Sequence, residues 1–187
     1  MYICIRIYFL TKTQKIMIKK LFLAVATVFF ATSVFSQNFA KGDKALNVGI
    51  GLGHGFSSYT YSLTPIPSFN ASFEAGIVDI PNVGVIGVGG FGGFQVSPHS
   101  GGVYSNTIIA GRGVFHFQFF DTGDFDLYAG INTGFGLERD GYYGWSDNYF
   151  VDDEFIGARW MKNDKFGFFA ELGYGISYLK AGITLKF

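Results

Sequence analysis

The sequence predicts an all-β fold, a single eight-stranded antiparallel up-and-down transmembrane β-barrel. Three observations predict it. Beyond Ala45 the chain alternates with period two, the spacing of a strand whose side chains point to opposite faces. The alternating segments number eight, most of them long enough to cross a bilayer, and an even number returns both ends of the barrel to one side. Finally, 49% of the residues are hydrophobic and only 15% are charged, against about 25% charged in an average soluble domain. Yet no stretch after residue 36 approaches the roughly 20 apolar residues of a membrane helix.

The first 36 residues read as an N-terminal extension and a cleaved export signal. Met17-Ile18-Lys19-Lys20 is a basic start, which marks Met17 as the true initiator. Leu21 to Phe30 is a short apolar run, and Val34-Phe35-Ser36 offers small residues for cleavage before Gln37. An uncleaved membrane anchor is the alternative. Residues 37–187 then form the barrel domain. They carry nine basic against 14 acidic residues, a balance that excludes nucleic acid as a partner, because that partner wants a basic face. Cys4, the single cysteine, lies upstream of the cut, so the mature chain has neither disulfide nor thiol nucleophile.

Each segment has an apolar and a polar or small parity. Residues 45–55 set Leu46, Val48, Ile50 and Leu52 against Asn47 and three glycines. Residues 67–77 set Phe69, Ala71, Phe73 and Ala75 against Asn70, Ser72 and Glu74. Residues 83–96 are too glycine-rich for a face to be assigned. Residues 104–119 place Ile109, Phe115, Phe117 and Phe119 opposite Asn106, Arg112, His116 and Gln118. Residues 125–138 place Leu127, Ala129, Ile131, Phe135 and Leu137 opposite Asp126, Tyr128, Asn132 and Glu138. Ile156, Ala158 and Trp160 oppose Arg159 in 153–162, and Phe166, Phe168, Ala170 and Leu172 oppose Glu171 in 166–174. The last strand sets Leu179, Ala181, Ile183, Leu185 and Phe187 against Lys180, Thr184 and Lys186.

The connections alternate in length. Residues 57–66 are long, Ser97–Gly102 is intermediate and Arg139–Asp152 is the longest. Asp79–Asn82, Asp121–Asp124 and Asn163–Lys165 are tight. Short turns on the periplasmic side are the habit of outer-membrane barrels. The last outer turn, Gly175–Ser177, is the exception. Phe117, Phe119, Trp160, Phe166 and Phe187 flank the periplasmic end, where rings favour the headgroup level. The charged parity is the sparse one, so it faces the lumen and the apolar parity faces lipid. A soluble barrel would be the reverse.

The hairpin Gly111-Arg112-Gly113-Val114-Phe115-His116-Phe117, an acidic turn and Phe125-Asp126-Leu127-Tyr128-Ala129-Gly130 resembles a small bacterial outer-membrane β-barrel family, broadly OmpX/OmpA-barrel-like. So does Phe155-Ile156-Gly157-Ala158-Arg159-Trp160, followed by Phe169 to Leu179 and the terminal Phe187. The similarity covers about residues 105–187, and the first half matches in pattern only. The resemblance implies a closed eight-stranded barrel and a C-terminal signal, Phe187, read by the barrel-assembly machinery. It implies no activity, because a fold alone does not supply one.

Glu74, Arg112, Arg159 and Glu171 share the inward parity and are expected to form a paired polar network that fills the lumen. A hairpin turn at Asp164-Lys165 would set Arg159 opposite Glu171. Gly87-Val88-Gly89-Gly90-Phe91-Gly92 matches a dinucleotide fingerprint by letter only, because no βαβ unit surrounds it. His54, His99 and His116 are isolated, without metal-ligand spacing, and His54 and His99 near the outer rim read as surface polar residues. Ser57, Ser58, Ser97 and Ser100 lie near His54 and His99, but nothing places the orienting acid that a lipid-modifying hydrolase requires. In the longest connection, Tyr142, Tyr143, Trp145, Asp147 and Tyr149 compose a candidate contact surface. The functional expectation is a non-enzymatic, monomeric outer-membrane barrel without a cofactor, embedded in outer-membrane lipid and lipopolysaccharide, that stabilises the membrane or binds a ligand at its outer end. A small-solute pore is the alternative, and an outer-membrane lipid-modifying enzyme the third reading.

Overall fold

The computed structural model describes residues 39–53, 66–99, 102–118, 124–141 and 143–187. The export signal, His54, Ser57, Ser58, Ser100, Phe119 and Tyr142 lie outside the described residues, as does the side chain of His99. The strands are β1 (Lys44–Leu52), β2 (Ser68–Ile80), β3 (Gly84–His99), β4 (Gly102–Phe117), β5 (Phe125–Asp140), β6 (Trp145–Met161), β7 (Phe166–Gly173) and β8 (Leu179–Lys186). Each pairs antiparallel with the next, and β8 pairs with β1 to close the barrel. Closure satisfies every edge, which an element inside hydrocarbon requires. At the seam, the Lys44 and Phe187 amides each donate to the other's carbonyl, at 2.9 and 3.0 Å.

The alternation becomes two faces. Asn47, Ser72, Glu74, Arg112 and Asn132 point inward and are buried. Outward stand Ile109 (72% exposed), Phe135 (70%) and Phe69 (64%), a surface that water would not tolerate but lipid does. The glycine-rich β3 also resolves. Val85, Phe91 and Gln95 face inward, and Val88 and Phe94 face outward. The letter match at Gly87–Gly92 therefore lies within a β-strand, not at the mouth of a helix. Aromatic side chains gather at two levels on the outer face. Trp160 stacks on Phe168 at 5.9 Å near the tight turns, and Phe135 meets Phe150 edge-on at 6.3 Å towards the other end.

Two expected connections are strands instead. β5 runs to Asp140 and β6 starts at Trp145, so only residues 141–144 separate them where a loop over Arg139–Asp152 was expected. The Asp140 carbonyl accepts from Gly144 N (3.0 Å), and Gly144 has φ +66°, a left-handed conformation that suits glycine. Likewise β3 extends to His99 and β4 begins at Gly102. The reason is physical. Above the membrane both faces of a strand meet polar surroundings, so the apolar–polar alternation that reveals a strand fades.

As a result β3 to β6, with 16 or 17 residues each, outreach β7 and β8 with eight. The ladder between β6 and β7 ends at Phe155 opposite Gly173, yet β6 continues another ten residues beyond it, to Trp145. Four strands thus form a wall that stands above the ends of β7 and β8.

Candidate functional site

The lumen holds a charged layer between two apolar ones. Arg159 on β6 donates to Asp126 Oδ2 on β5 (2.6 Å) and to Glu74 on β2. Arg112 on β4 donates to Glu171 Oε1 on β7 (2.5 Å) and Glu74 Oε2 (3.2 Å). Tyr128 Oη donates to Glu171 Oε1 at 3.0 Å. Lys180 Nζ lies 3.3 Å from Asp153 Oδ2 and 3.5 Å from Glu171 Oε2. His116 turns Nδ1 to Asp126 (2.9 Å) and Nε2 towards Glu74 (3.7 Å), so in its protonated form it supplies a fourth cation to match the four carboxylates. All these groups are buried. Ion pairs in such surroundings repay their desolvation only with this density of hydrogen bonds.

The four residues expected to meet in the lumen do meet, but one pairing differs. The β6–β7 register sets Gly157, not Arg159, opposite Glu171, and Arg159 faces Phe169. Arg159 instead reaches across the lumen to β2, and Arg112 takes Glu171. His116, on the same inward parity as Arg112, is 1% exposed at the network's centre. Asp126, Tyr128, Asp153 and Lys180 complete the network. All four stand on the inward parity of their strands, Asp153 sharing that of Arg159.

At the end that carries the tight turns, Phe39, Ala45 and Val85 form an apolar layer. Phe39 comes from a strap preceding β1. Its ring stacks on His116 at 4.0 Å, and its carbonyl accepts from Gln118 Nε2 at 3.1 Å. The strap is tied to β2 by Gly42 N to Gly76 O and Gly76 N to Asp43 O, both 2.9 Å. A Cβ on Gly76 would come within 2.5 Å of the Ala40 carbonyl, so this close approach requires glycine. Towards the opposite end, Phe91, Ile108, Ala110, Val151 and Ile176 form the second apolar layer, with Tyr149 packed against it.

Above that layer the inner face of the wall carries two ordered rows. One runs Ser97, Tyr104, Asp140, Trp145 across β3 to β6, and the next runs Gln95, Asn106, Glu138, Asp147. Trp145, Asp147 and Tyr149 therefore belong to strand β6, while Tyr143 sits at the turn tip, 72% exposed. Tyr149 Oη bonds to Asn106 (2.7 and 2.9 Å). Burial pushes the Tyr104 hydroxyl up and keeps it a donor. Burial also pushes the Glu138 carboxyl above its ordinary range; Tyr104 opposes the rise and the Asp147 charge adds to it.

A raised folded-state value means the folded protein holds the Glu138 proton more tightly than the unfolded chain. Stability therefore falls as pH rises from the ordinary carboxylate range through the raised value. Glu138→Gln should remove that decline and give a higher urea midpoint than wild type at neutral pH, measured on detergent-folded protein across a pH series. Identical profiles would contradict the burial of this carboxylate.

Among the described residues, no group of three or more His, Cys, Asp or Glu is arranged to hold a metal ion. No protein-family profile and no curated protein matches the chain by sequence. Among solved structures it is similar to Ail, the attachment invasion locus protein of Yersinia pestis. With the crystal structure of Ail bound to the heparin analogue sucrose octasulfate, identity is 16% and the TM-score 0.47, over 79% of this chain and all of that one. With the structure of Ail alone, identity is 15% and the TM-score 0.43 over the same shares.

Proposed function

We propose that this chain is an integral outer-membrane barrel with a closed lumen, whose outer end is a contact surface for a ligand or partner. One observation carries the reading. The apolar side chains face outward between two aromatic levels, and the charges face inward, the inverse of a soluble barrel. Outer-membrane lipid and lipopolysaccharide would surround that apolar band. Phe187, 63% exposed beside Phe73, would be the residue the barrel-assembly machinery engages. A pore needs a continuous polar path, and the layered lumen opposes one. The contact reading is non-enzymatic and draws on the exposed Tyr143 and on the wall residues Trp145, Asp147 and Tyr149.

Among the described residues outside the lumen, the outer half of the barrel carries one lysine or arginine, Arg139, beside Glu138, Asp140, Asp147, Asp152 and Glu154. An acidic end repels polyanions, so the sulfated ligand of the solved Ail complex is not the ligand expected here. The test is planar-bilayer conductance of residues 37–187, with insertion confirmed separately. Insertion without conductance is expected, and steady, reproducible channels would overturn the closed-lumen reading.

A further inference from the structure

We propose that the inner face of the β3–β6 wall binds an organic cation, an ammonium or guanidinium on an apolar stem. The inference rests on reading the outer end as a contact surface, and it names what that surface takes. On this face Ser97, the register partner of Tyr104, is 0% exposed and its hydroxyl has no hydrogen-bond partner, whereas the Tyr104 hydroxyl is turned to Glu138. A buried hydroxyl left this way is costly and calls for an explanation, which a bound donor or acceptor supplies. The neighbouring amides are already engaged. Gln95 Nε2 reaches the Ile66 and Gly53 carbonyls, at 3.2 and 3.5 Å, and Asn106 is bonded to Tyr149.

The second observation is independent of the first. Glu138 and Asp147 are direct cross-strand partners on the same face. Like charges set opposite each other destabilise a sheet, and the mutual push is felt at Glu138. In the lumen every carboxylate has a cation. Here no basic residue shares the face: Arg139 takes the outward parity, opposite Ser105 and Ser146. The sequence supplies no Lys or Arg between residues 45 and 111 or between 140 and 158, so the missing cation comes from outside the chain.

Ring side chains define the ligand further. Trp145 stands on the row of Ser97 and Tyr104, and Tyr149 on the row below Asp147. Rings beside carboxylates hold an organic cation through its charge and its stem together. A bare divalent ion wants six or more oxygens, and the three carboxylates of this face, Glu138, Asp140 and Asp147, are not arranged to hold one. The two natural sources are a free polyamine and a basic peptide segment.

Residues 37–187 folded in zwitterionic detergent would be titrated with spermine and, separately, with hexalysine. A Trp160→Phe background leaves Trp145 as the sole indole, and calorimetry and fluorescence would be read together. Binding is expected to weaken at least tenfold in Glu138→Gln/Asp147→Asn. It should be unchanged in Asp152→Asn/Glu154→Gln, which removes the same charge from the outward face of β6. Tighter binding of hexalysine would identify a basic segment as the source, and tighter binding of spermine a free polyamine. Equal weakening in both double variants, or no binding of either probe to the parent, would overturn the proposal. That failure would leave the conductance result, and the closed-barrel reading, standing.

Discussion

Arg159→Met should cost about 3–5 kcal/mol of unfolding free energy, the range for breaking a buried ion pair by removing one partner. Arg159 is 1% exposed and serves two carboxylates on different strands, Glu74 and Asp126. Its guanidinium also lies over the rings of Tyr128 (5.1 Å) and Phe39 (5.6 Å). Methionine keeps most of the stem but leaves two carboxylates short of charge in a chamber without bulk water. Arg139→Met is the matched control. On the outward parity above the membrane, it should shift stability by less than about 0.5 kcal/mol. Adding Asp126→Asn to Arg159→Met should recover part of the loss, because the orphaned charge goes with its partner. Urea midpoints in detergent micelles decide the matter. Equal midpoints for the two arginine variants would contradict the assignment of inside and outside.

The second large effect is expected at Phe39. Truncation to alanine removes a ring that is 1% exposed and packed on His116, Ala45 and Val85. Core Phe→Ala changes cost about 3–5 kcal/mol, and here the cavity would open beside the ion network rather than inside an apolar core. Water entering it would solvate Arg159 and His116. The unfolding midpoint should therefore fall, and His116 should become reactive to diethylpyrocarbonate while remaining protected in the parent. A midpoint within about 0.5 kcal/mol of the parent, with His116 still protected, would show that the strap does not seal the mouth.

The sequence makes much of this legible, and its failures are instructive. Parity alone places Glu74, Arg112, Arg159 and Glu171 in the lumen, because a residue's face depends only on its own strand. Pairing is different. Hairpin adjacency suggests Arg159 with Glu171, yet the partner chosen is Glu74, far away in sequence and across the lumen. Which side chains meet across a barrel depends on the slant and closure of the whole ladder, and no local pattern encodes that. The upper halves of β5 and β6 escape for another reason, because their alternation dissolves where neither face meets lipid. Phe39 precedes the alternating pattern and leaves no periodic trace.

The charged layer between the two apolar layers has a kinetic consequence. Labile protons on the Arg112 and Arg159 guanidinium groups exchange with solvent only when one flanking layer opens. Their lifetimes are therefore a clock for breathing of the barrel's interior, separable from global unfolding. Slower exchange than at Arg139 would time the rarer opening events of the Phe39 and Ile176 ends, and a variant at either end would show which door swings first.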